Sequence, residues 1–217
     1  MIACNLKGVR RALFIGAHSD DIEIGCGGTV HRLIELSPGV ECYWFVLTST
    51  PERSREAQRS AGAFLRGARQ KTVVVKSFRD GFLPCIGAPV KESFEELKKV
   101  FVPDVIFTHF GDDRHQDHRL VSELTWNTFR NHLILEYEIP KYDADLRSPN
   151  FFVPLTRSDC SRKIRALMRY FGTQRNKQWF SEDLFEGLLR LRGIESASPT
   201  LYAEAFHCRK MLFGGLD

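Results

Sequence analysis

The fold is decided by Arg11-Ala-Leu-Phe-Ile-Gly-Ala17 and the polar residues that follow it, His18-Ser-Asp-Asp21. An unbroken apolar run of this length is typical of a strand buried on both faces of a parallel sheet. The polar residues would then lie at the carboxyl edge of the sheet, where ligands bind in open α/β folds. A second apolar run, 103–108, leads in the same way towards His115-Gln-Asp-His118. We call 18–21 the first polar cluster and 115–118 the second.

The first half of the chain alternates predicted strands with predicted helices. The strands cover 11–17, 41–48, 71–75 and 104–108, and the helices cover 22–36, 51–65, 91–101 and 116–131. The second half is less regular, with strands predicted at 132–140, 151–155 and 202–208 and helices at 162–171 and 184–191. This order predicts an α/β, doubly wound, mostly parallel sheet with helices on both faces.

The predicted topology brings the two polar clusters together. In a doubly wound sheet the first strand lies at the switch point, and the chain returns to its other side with the fourth strand. The clusters follow the first and fourth predicted strands, so we expect them to face each other across one crevice. No repeat or long linker divides the 217 residues, and we expect one domain over 1–217.

Composition excludes several functional classes. The net charge of +4 is too small and too dispersed to indicate nucleic-acid binding. No apolar run approaches the ~18 residues that a membrane span needs. The densest basic zone, 157–177, either steers an anionic substrate, such as a nucleotide sugar, or is a solvated helix face, and the second interpretation is favoured.

The cysteines indicate a reducing environment. The chain has six of them, at irregular spacings and without a C-x-x-C pair. The first residues also lack the apolar core of a secretory signal. We therefore expect reduced thiols in a cytoplasmic protein.

Each polar cluster carries metal-site chemistry. Imidazoles and carboxylates together are the ligand set of a divalent metal such as zinc. The side chains of Asp20 and Asp21 point in different directions, so one can coordinate a metal beside His18 while the other takes a proton from water. The alternative is that both aspartates only cap the following helix.

The second cluster offers two imidazoles on one side of a helix. If 115–118 opens a helix, His115 and His118 lie three residues apart and face the same way. One can ligate the metal, and the other can donate a proton or stabilise an oxyanion. Asp117 is then available to orient an imidazole. His109 and the pair Asp112-Asp113 either line the cleft or are solvated, and solvation is favoured.

The glycines of Gly25-Cys-Gly-Gly28 have two interpretations. They could form a dinucleotide-binding turn, but the G-x-G-x-x-G spacing is absent and two carboxylates precede them. A close approach of backbone or substrate is the favoured interpretation.

These motifs resemble those of a known family. The segment Ala17-His-Ser-Asp-Asp-Ile-Glu-Ile-Gly-Cys-Gly-Gly-Thr29 resembles the A-H-P-D-D-E-x-x-G-x-G-G-T signature of the PIG-L/LmbE-like zinc-dependent deacetylases. The second cluster resembles that family's H-P/Q-D-H motif. Weaker similarities are Arg53-Ser-Arg-Glu-Ala57 to R-x-x-E and Tyr202-Ala-Glu-Ala-Phe206 to Y-A-E-x-F. The resemblance spans nearly the whole chain.

The resemblance implies a Rossmann-like fold and a zinc-dependent hydrolase that removes an N-acetyl group from an N-acetylglucosamine-type conjugate and releases acetate. The implied zinc ligands are His18, Asp21 and His118. The implied catalytic residues are Asp20, as the general base, and His115, which would stabilise the oxyanion or protonate the leaving amine. Arg53 would contact the substrate.

Two positions depart from the family pattern, and two other functions stay open. Ser19 replaces the usual proline, and Ile22 replaces a glutamate that is not a zinc ligand. The alternatives are an amidase acting on a larger acyl group and a non-catalytic sugar- or nucleotide-binding protein. The expected partner is a small N-acetylated sugar or a nucleotide, thiol or antibiotic conjugate of one. The sequence leaves open whether the chain forms a homo-oligomer.

Overall fold

One sheet of seven strands forms the centre of the computed structural model, which describes residues 6–212. The strands are β1 (Arg11–Gly16), β2 (Glu41–Thr48), β3 (Gln70–Phe78), β4 (Val105–His109), β5 (Leu133–Tyr137), β6 (Phe151–Leu155) and β7 (Tyr202–His207). The helices are α1 (Asp21–Leu36), α2 (Pro51–Phe64), α3 (Gly87–Val100), α4 (Gln116–Thr128), α5 (Arg157–Tyr170) and α6 (Glu182–Glu195). Short 3₁₀ turns lie at Leu83–Ile86 and Gly172–Gln174.

The strand order, β3-β2-β1-β4-β5-β7-β6, confirms the predicted doubly wound sheet. β1 lies between β2 and β4 and is parallel to both, with Phe14 opposite Trp44 on one side and Phe107 on the other. β7 runs antiparallel to β5 and β6, so the sheet is mixed at one edge. The order of strand addition reverses between β1 and β4, which are parallel, so the segments after these two strands meet at the same edge of the sheet.

Apolar cores cover both faces of the sheet, which explains the unbroken apolar runs. Neighbouring residues of β2 point to opposite faces. Trp44 packs against Phe64 of α2, with ring centroids 6.4 Å apart, while Phe45 meets Phe94 of α3 edge-on at 6.0 Å. Because both faces are buried, the run contains no polar alternation.

Two helices begin or end at residues other than those predicted. α5 begins at Arg157, five residues before the predicted start, because Thr156 and Asp159 form a capping box. α4 ends at Thr128 rather than at 131, because Phe129 leaves the helical conformation and buries its ring in the core. Thr50 caps α2, and Pro51 occupies its first turn, as the sequence predicts.

A kink in α1 is held by two buried charges. Cys26 has non-helical angles (φ −143°, ψ 18°), so the backbone groups on either side need other partners. Glu204 of β7 accepts hydrogen bonds from the N–H groups of Gly28 and Thr29 at 2.8 and 2.6 Å. Lys163 of α5 donates to the carbonyl of Ile24 and to Glu204, both at 2.6 Å. The Y-A-E-x-F segment thus has a structural explanation.

The glycines on both sides of the kink allow close packing, as the favoured interpretation predicts. A Cβ on Gly25 would lie 2.2 Å from the ring of Tyr137, and one on Gly28 would lie 2.4 Å from Leu155. Any larger residue would push α1 away from the sheet. The first polar cluster, which opens α1, would move with it.

Replacing Glu204 by alanine is expected to lower the free energy of unfolding by about 3–5 kcal/mol. The Lys163 ammonium would remain buried without its counter-charge, and the two N–H groups of the kink would lose their acceptor. Urea denaturation measures the loss. The matched control, Glu35→Ala, breaks only the exposed pair with Arg32 and should cost less than about 1 kcal/mol. Equal losses for the two variants would contradict the structural role of Glu204.

Residues 6–212 contain neither a helix suited to a membrane span nor a disulfide. In that range, no helix has both the length and the apolar composition needed to cross a bilayer. No disulfide joins the cysteines of that range, and Cys4 lies outside the described residues.

Candidate metal centre

The two polar clusters meet at the carboxyl edge of the sheet, as the topology predicts. His18 and Asp21 follow β1, while His118 lies in the first turn of α4, after β4. The ring nitrogens His18 Nδ1 and His118 Nε2 lie 3.0 Å apart. A carboxylate oxygen of Asp21 lies 3.2 Å from His18 Nδ1, and the other lies 3.6 Å from His118 Nε2. Donor atoms of these three residues therefore lie close together, with each imidazole facing a different oxygen of Asp21.

The spacing of these donors fits a tetrahedral metal ion. Ligand atoms bonded to zinc at about 2.0–2.1 Å with tetrahedral angles are separated by about 3.3 Å. The observed separations, 3.0, 3.2 and 3.6 Å, lie near that value, and the last two are to different oxygens of the Asp21 carboxylate. The residues present thus fit the ion that the donor chemistry calls for. Three groups of side chains here offer ligand atoms that lie within 4.8 Å of one another. They are His18, His115 and His118; Asp21, His109 and His118; and His18, Asp80 and Asp117.

His118 is oriented by a buried carboxylate. Its Nδ1 lies 2.8 Å from Asp113, so this nitrogen carries the proton and Nε2 presents its lone pair to the centre. Burial lowers the pKa of His118 to about 3, which keeps the ring neutral. Burial alone would raise the pKa of Asp113, but the hydrogen bond from His118 brings it below its usual value. Lys141 lies 3.0 Å from the same carboxylate.

His109 is buried in the centre, contrary to the favoured expectation of a solvated residue. Its Nε2 lies 3.0 Å from Asp21, and its ring stacks on His118 with centroids 3.9 Å apart. Asp113 was also expected to be solvated and is buried, whereas Asp112 is exposed as expected. His109 could be identified from the sequence, because it directly follows the predicted strand 104–108. It is the last residue of β4 and lies at the carboxyl edge of the sheet.

Asp117 links His18 to a neighbouring loop. Its carboxylate accepts hydrogen bonds from the N–H groups of Gly81 (2.7 Å) and Leu83 (3.1 Å), and it lies 3.4 Å from His18 Nε2. The far side of the His18 ring therefore faces carboxylates, Asp117 at 3.4 Å and Asp80 at 3.0 Å from Nε2, while Nδ1 faces the centre. This placement agrees with the orienting role that the sequence suggested for Asp117.

Asp20 does not cap α1, which removes the alternative explanation of the first cluster. It occupies the N-cap position, but its side chain makes no capping hydrogen bond. The carboxylate instead pairs with Arg53 of α2 at 2.5 Å. Burial raises the pKa of Asp20, and the Arg53 guanidinium partly offsets that rise. Asp21 is likewise not a cap, since it accepts from the His18 N–H at 2.6 Å.

The position of His115 defines which of its nitrogens can donate. His115 is the N-cap of α4, and its Nδ1 accepts from the N–H of Asp117 at 3.2 Å. In the neutral ring the proton is then on Nε2. Burial lowers the pKa of His115, and the neighbouring His18 lowers it further. The neutral ring is therefore a hydrogen-bond donor through Nε2.

The two residues after Asp21 are both removed from solvent. Ile22, where the family usually has glutamate, is fully buried in the apolar core. The next residue, Glu23, is also fully buried, and burial raises its pKa well above the ordinary value. Glu23 therefore offers no exposed carboxylate that replaces the missing one.

A cavity of about 310 Å³ opens onto the centre. Asp20, Arg53 and His115 line one part of it beside the donor atoms, so the predicted base, substrate contact and oxyanion donor share one space. The loop after β5 contributes Lys141 and Tyr142. No motif in the sequence identifies these last two residues, because they reach the cavity only through the path of the loop.

A family model described as GlcNAc-PI de-N-acetylase, PIG-L, matches residues 13–129, which hold both polar clusters. The chain belongs to the PIG-L family. The match extends from β1 to the residue after α4, so the candidate centre of this PIG-L chain lies wholly within it.

Solved structures share the fold of this PIG-L chain at low sequence identity. The conserved protein TT1542 from Thermus thermophilus is 22% identical with a TM-score of 0.70, covering 95% of this chain and 98% of that one. N,N'-diacetylchitobiose deacetylase from Pyrococcus horikoshii is 19% identical with a TM-score of 0.67, covering 93% and 84%. The 4-carboxy-2-hydroxymuconate hydratase GalB from Pseudomonas putida is 15% identical with a TM-score of 0.68, covering 96% and 100%.

Proposed function

We propose that the chain is a zinc-dependent N-deacetylase that hydrolyses the acetamide of an N-acetylated hexosamine conjugate and releases acetate. The observation that carries this proposal is the close approach of the His18, Asp21 and His118 side chains, with Asp20 beside them in the same cavity. We propose further that residues 1–217 act as one catalytic domain in the cytoplasm.

Each residue has a role that its contacts support. When bound, the ion would lower the pKa of a water molecule and polarise the amide carbonyl. Asp20 takes the proton of the attacking water, and Arg53 holds the Asp20 carboxylate in place. His115 donates from Nε2 to the oxyanion that forms at the carbonyl. The proton collected by Asp20 then leaves with the amine.

The family match and one structural relative support this proposal. The family description names a de-N-acetylase, and one structural relative is a deacetylase of an acetylated sugar. GalB, a hydratase, has the same fold, so the fold alone does not fix the reaction. The separate base and oxyanion donor beside the ligand atoms favour amide hydrolysis.

Removing the metal is expected to abolish acetate release from N-acetylglucosamine conjugates, and adding zinc back should restore it. Elemental analysis should find about one zinc ion per chain, as three neighbouring protein ligands predict. Dialysis against a chelator, followed by addition of zinc or magnesium, separates a specific ion from general ionic strength. Full turnover by metal-free protein would contradict the proposal. Faster release of longer acyl groups than of acetate would favour the amidase alternative.

A further inference from the structure

A second open cavity, of about 600 Å³, is lined by residues of α1, α2 and α5 and lies away from the metal centre. Within residues 6–212, no side chain lines both this cavity and the one at the candidate metal centre. Arg53, near the start of α2, reaches the metal-centre cavity, whereas Arg66 follows the other end of this helix and lines the second cavity. Because a helix of 14 residues is about 20 Å long, the two cavities are well separated.

Four arginines, Arg66, Arg162, Arg165 and Arg169, line this second cavity, which we call the arginine groove. The last three lie on α5 at spacings of three and four residues, so they share one face of that helix. Arg66 adds a fourth charge from beyond the end of α2. Arg162 is half-buried and the other three are exposed, so all four guanidinium groups are open to a ligand.

Neighbouring carboxylates do not balance the charge of the arginine groove. In the range 6–212, the ion pairs of α5 are made by Arg157 and Lys163 rather than by the three arginines of the groove. The one acidic residue of α5, Asp159, belongs to its capping box. Glu182 is the one acidic side chain among the described residues that line the groove. Because like charges three or four residues apart destabilise a helix, the stripe favours a ligand site over an ordinary solvated face.

The positive charge of the groove comes from the arginines alone. Apart from Glu182, the other described residues that line it carry no charge, and Ala166 and Met168 contribute apolar atoms. His31 also lines it, with its ring stacked on that of Phe64 at a centroid distance of 4.8 Å. Burial lowers the pKa of His31 to about 4, so the ring is neutral near pH 7. A ligand of this groove is therefore held by guanidinium groups, which are charged at every physiological pH.

The size of the groove distinguishes between classes of anionic ligand. Its volume of about 600 Å³ lies within the range of small-molecule sites, about 300–1,000 Å³. A nucleic acid would need a basic surface that extends well beyond one groove, and the net charge of the chain is only +4. Each guanidinium group presents paired N–H donors that match the oxygens of a phosphate. Four such groups in a groove of this size suit a small ligand with several linked phosphates.

We propose that the arginine groove binds a small oligophosphate, such as pyrophosphate or the phosphate chain of a nucleotide, at a site separate from the metal centre. Arg162, Arg165 and Arg169 contact the phosphates from α5, and Arg66 contacts them from the end of α2. The ligand is not the substrate of the proposed deacetylase, since the groove shares no lining residue with the metal-centre cavity among residues 6–212. The inference therefore stands whether or not the chain releases acetate.

Calorimetric titration of the protein with pyrophosphate tests this site. The wild-type protein should bind, and the double variant Arg162→Gln/Arg165→Gln should weaken binding by at least about tenfold, because it removes charged hydrogen-bond donors. The matched control, Arg10→Gln/Arg130→Gln, removes the same charge from exposed arginines outside the groove and should bind like the wild-type protein. Absence of binding to the wild-type protein, or an equal loss in the two double variants, would overturn the inference.

A variant outside α5 separates loss of the site from damage to the helix. Arg66→Gln leaves α5 intact and should weaken pyrophosphate binding by about tenfold. Pyrophosphate can also bind a metal ion. Binding that both Arg66→Gln and the α5 double variant leave unchanged would place pyrophosphate at the metal centre and overturn the inference.

Vesicles distinguish a free oligophosphate from a lipid headgroup. Sedimentation with vesicles of phosphatidylcholine and phosphatidylserine should leave the wild-type protein in the supernatant, because the groove is sized for a small ligand. Sedimentation that Arg162→Gln/Arg165→Gln removes, without binding of pyrophosphate, would make the groove a membrane-contact surface and overturn the inference.

Discussion

Replacing Asp20 by asparagine is expected to lower kcat by about 10²–10⁴-fold while the zinc content stays near one ion per chain. The amide cannot take a proton from water, so the proposed base is lost. The ligand atoms are untouched, because Asp20 contacts Arg53 rather than any of the three donors. Asparagine also preserves an oxygen that can accept from Arg53, so the cavity should keep its shape.

Acetate release and elemental analysis on the same samples check this result. Asp112→Asn is the matched control, since this exposed carboxylate lies close in sequence to the second cluster and should change neither quantity. Loss of zinc from Asp20→Asn would make Asp20 a ligand, and unchanged kcat would require another base.

The sheet and its switch point were predictable from the sequence because they depend on local patterns. The apolar runs around Phe14 and Phe107 identify buried parallel strands, and the alternation of strands with helices predicts the order of the first four strands. The position of the two polar clusters follows from that order. The starts of α5 and α6 were missed because Thr156 and Ser181, which cap them, lie outside the apolar pattern.

The surroundings of the centre were harder to predict because they depend on the tertiary path of loops. Asp113 reaches His118 only because the loop after β4 folds back over the first turn of α4. Lys141 and Trp179 come from loops after β5 and α5, and no spacing in the sequence relates them to the clusters. His109 was predictable in principle from its place at the end of β4, but a polar loop offered a simpler explanation.

Replacing Asp21 by asparagine is expected to have the opposite consequence to the change at Asp20, with zinc affinity falling by more than about a hundredfold. Loss of an orienting partner of a ligand typically costs about 10–100-fold in metal affinity, and loss of a ligand should cost more. Asp21 is also the negative charge that faces His18, His109 and His118. Asparagine can still accept from the His18 N–H, so the start of α1 should keep its conformation.

A competition titration against a zinc-binding dye measures this affinity, and Asp113→Asn provides a graded comparison. Asp113 touches the metal site only through His118, so its loss should fall within the range of about 10–100-fold. A smaller loss for Asp21→Asn than for Asp113→Asn would contradict the ligand assignment. Because His18, His115 and His118 also converge within one group of ligand atoms, that result would point to a three-histidine site. His115 could not then donate to an oxyanion through the nitrogen that binds the ion. The zinc affinity of Asp21→Asn therefore tests the role of His115 as well as that of Asp21.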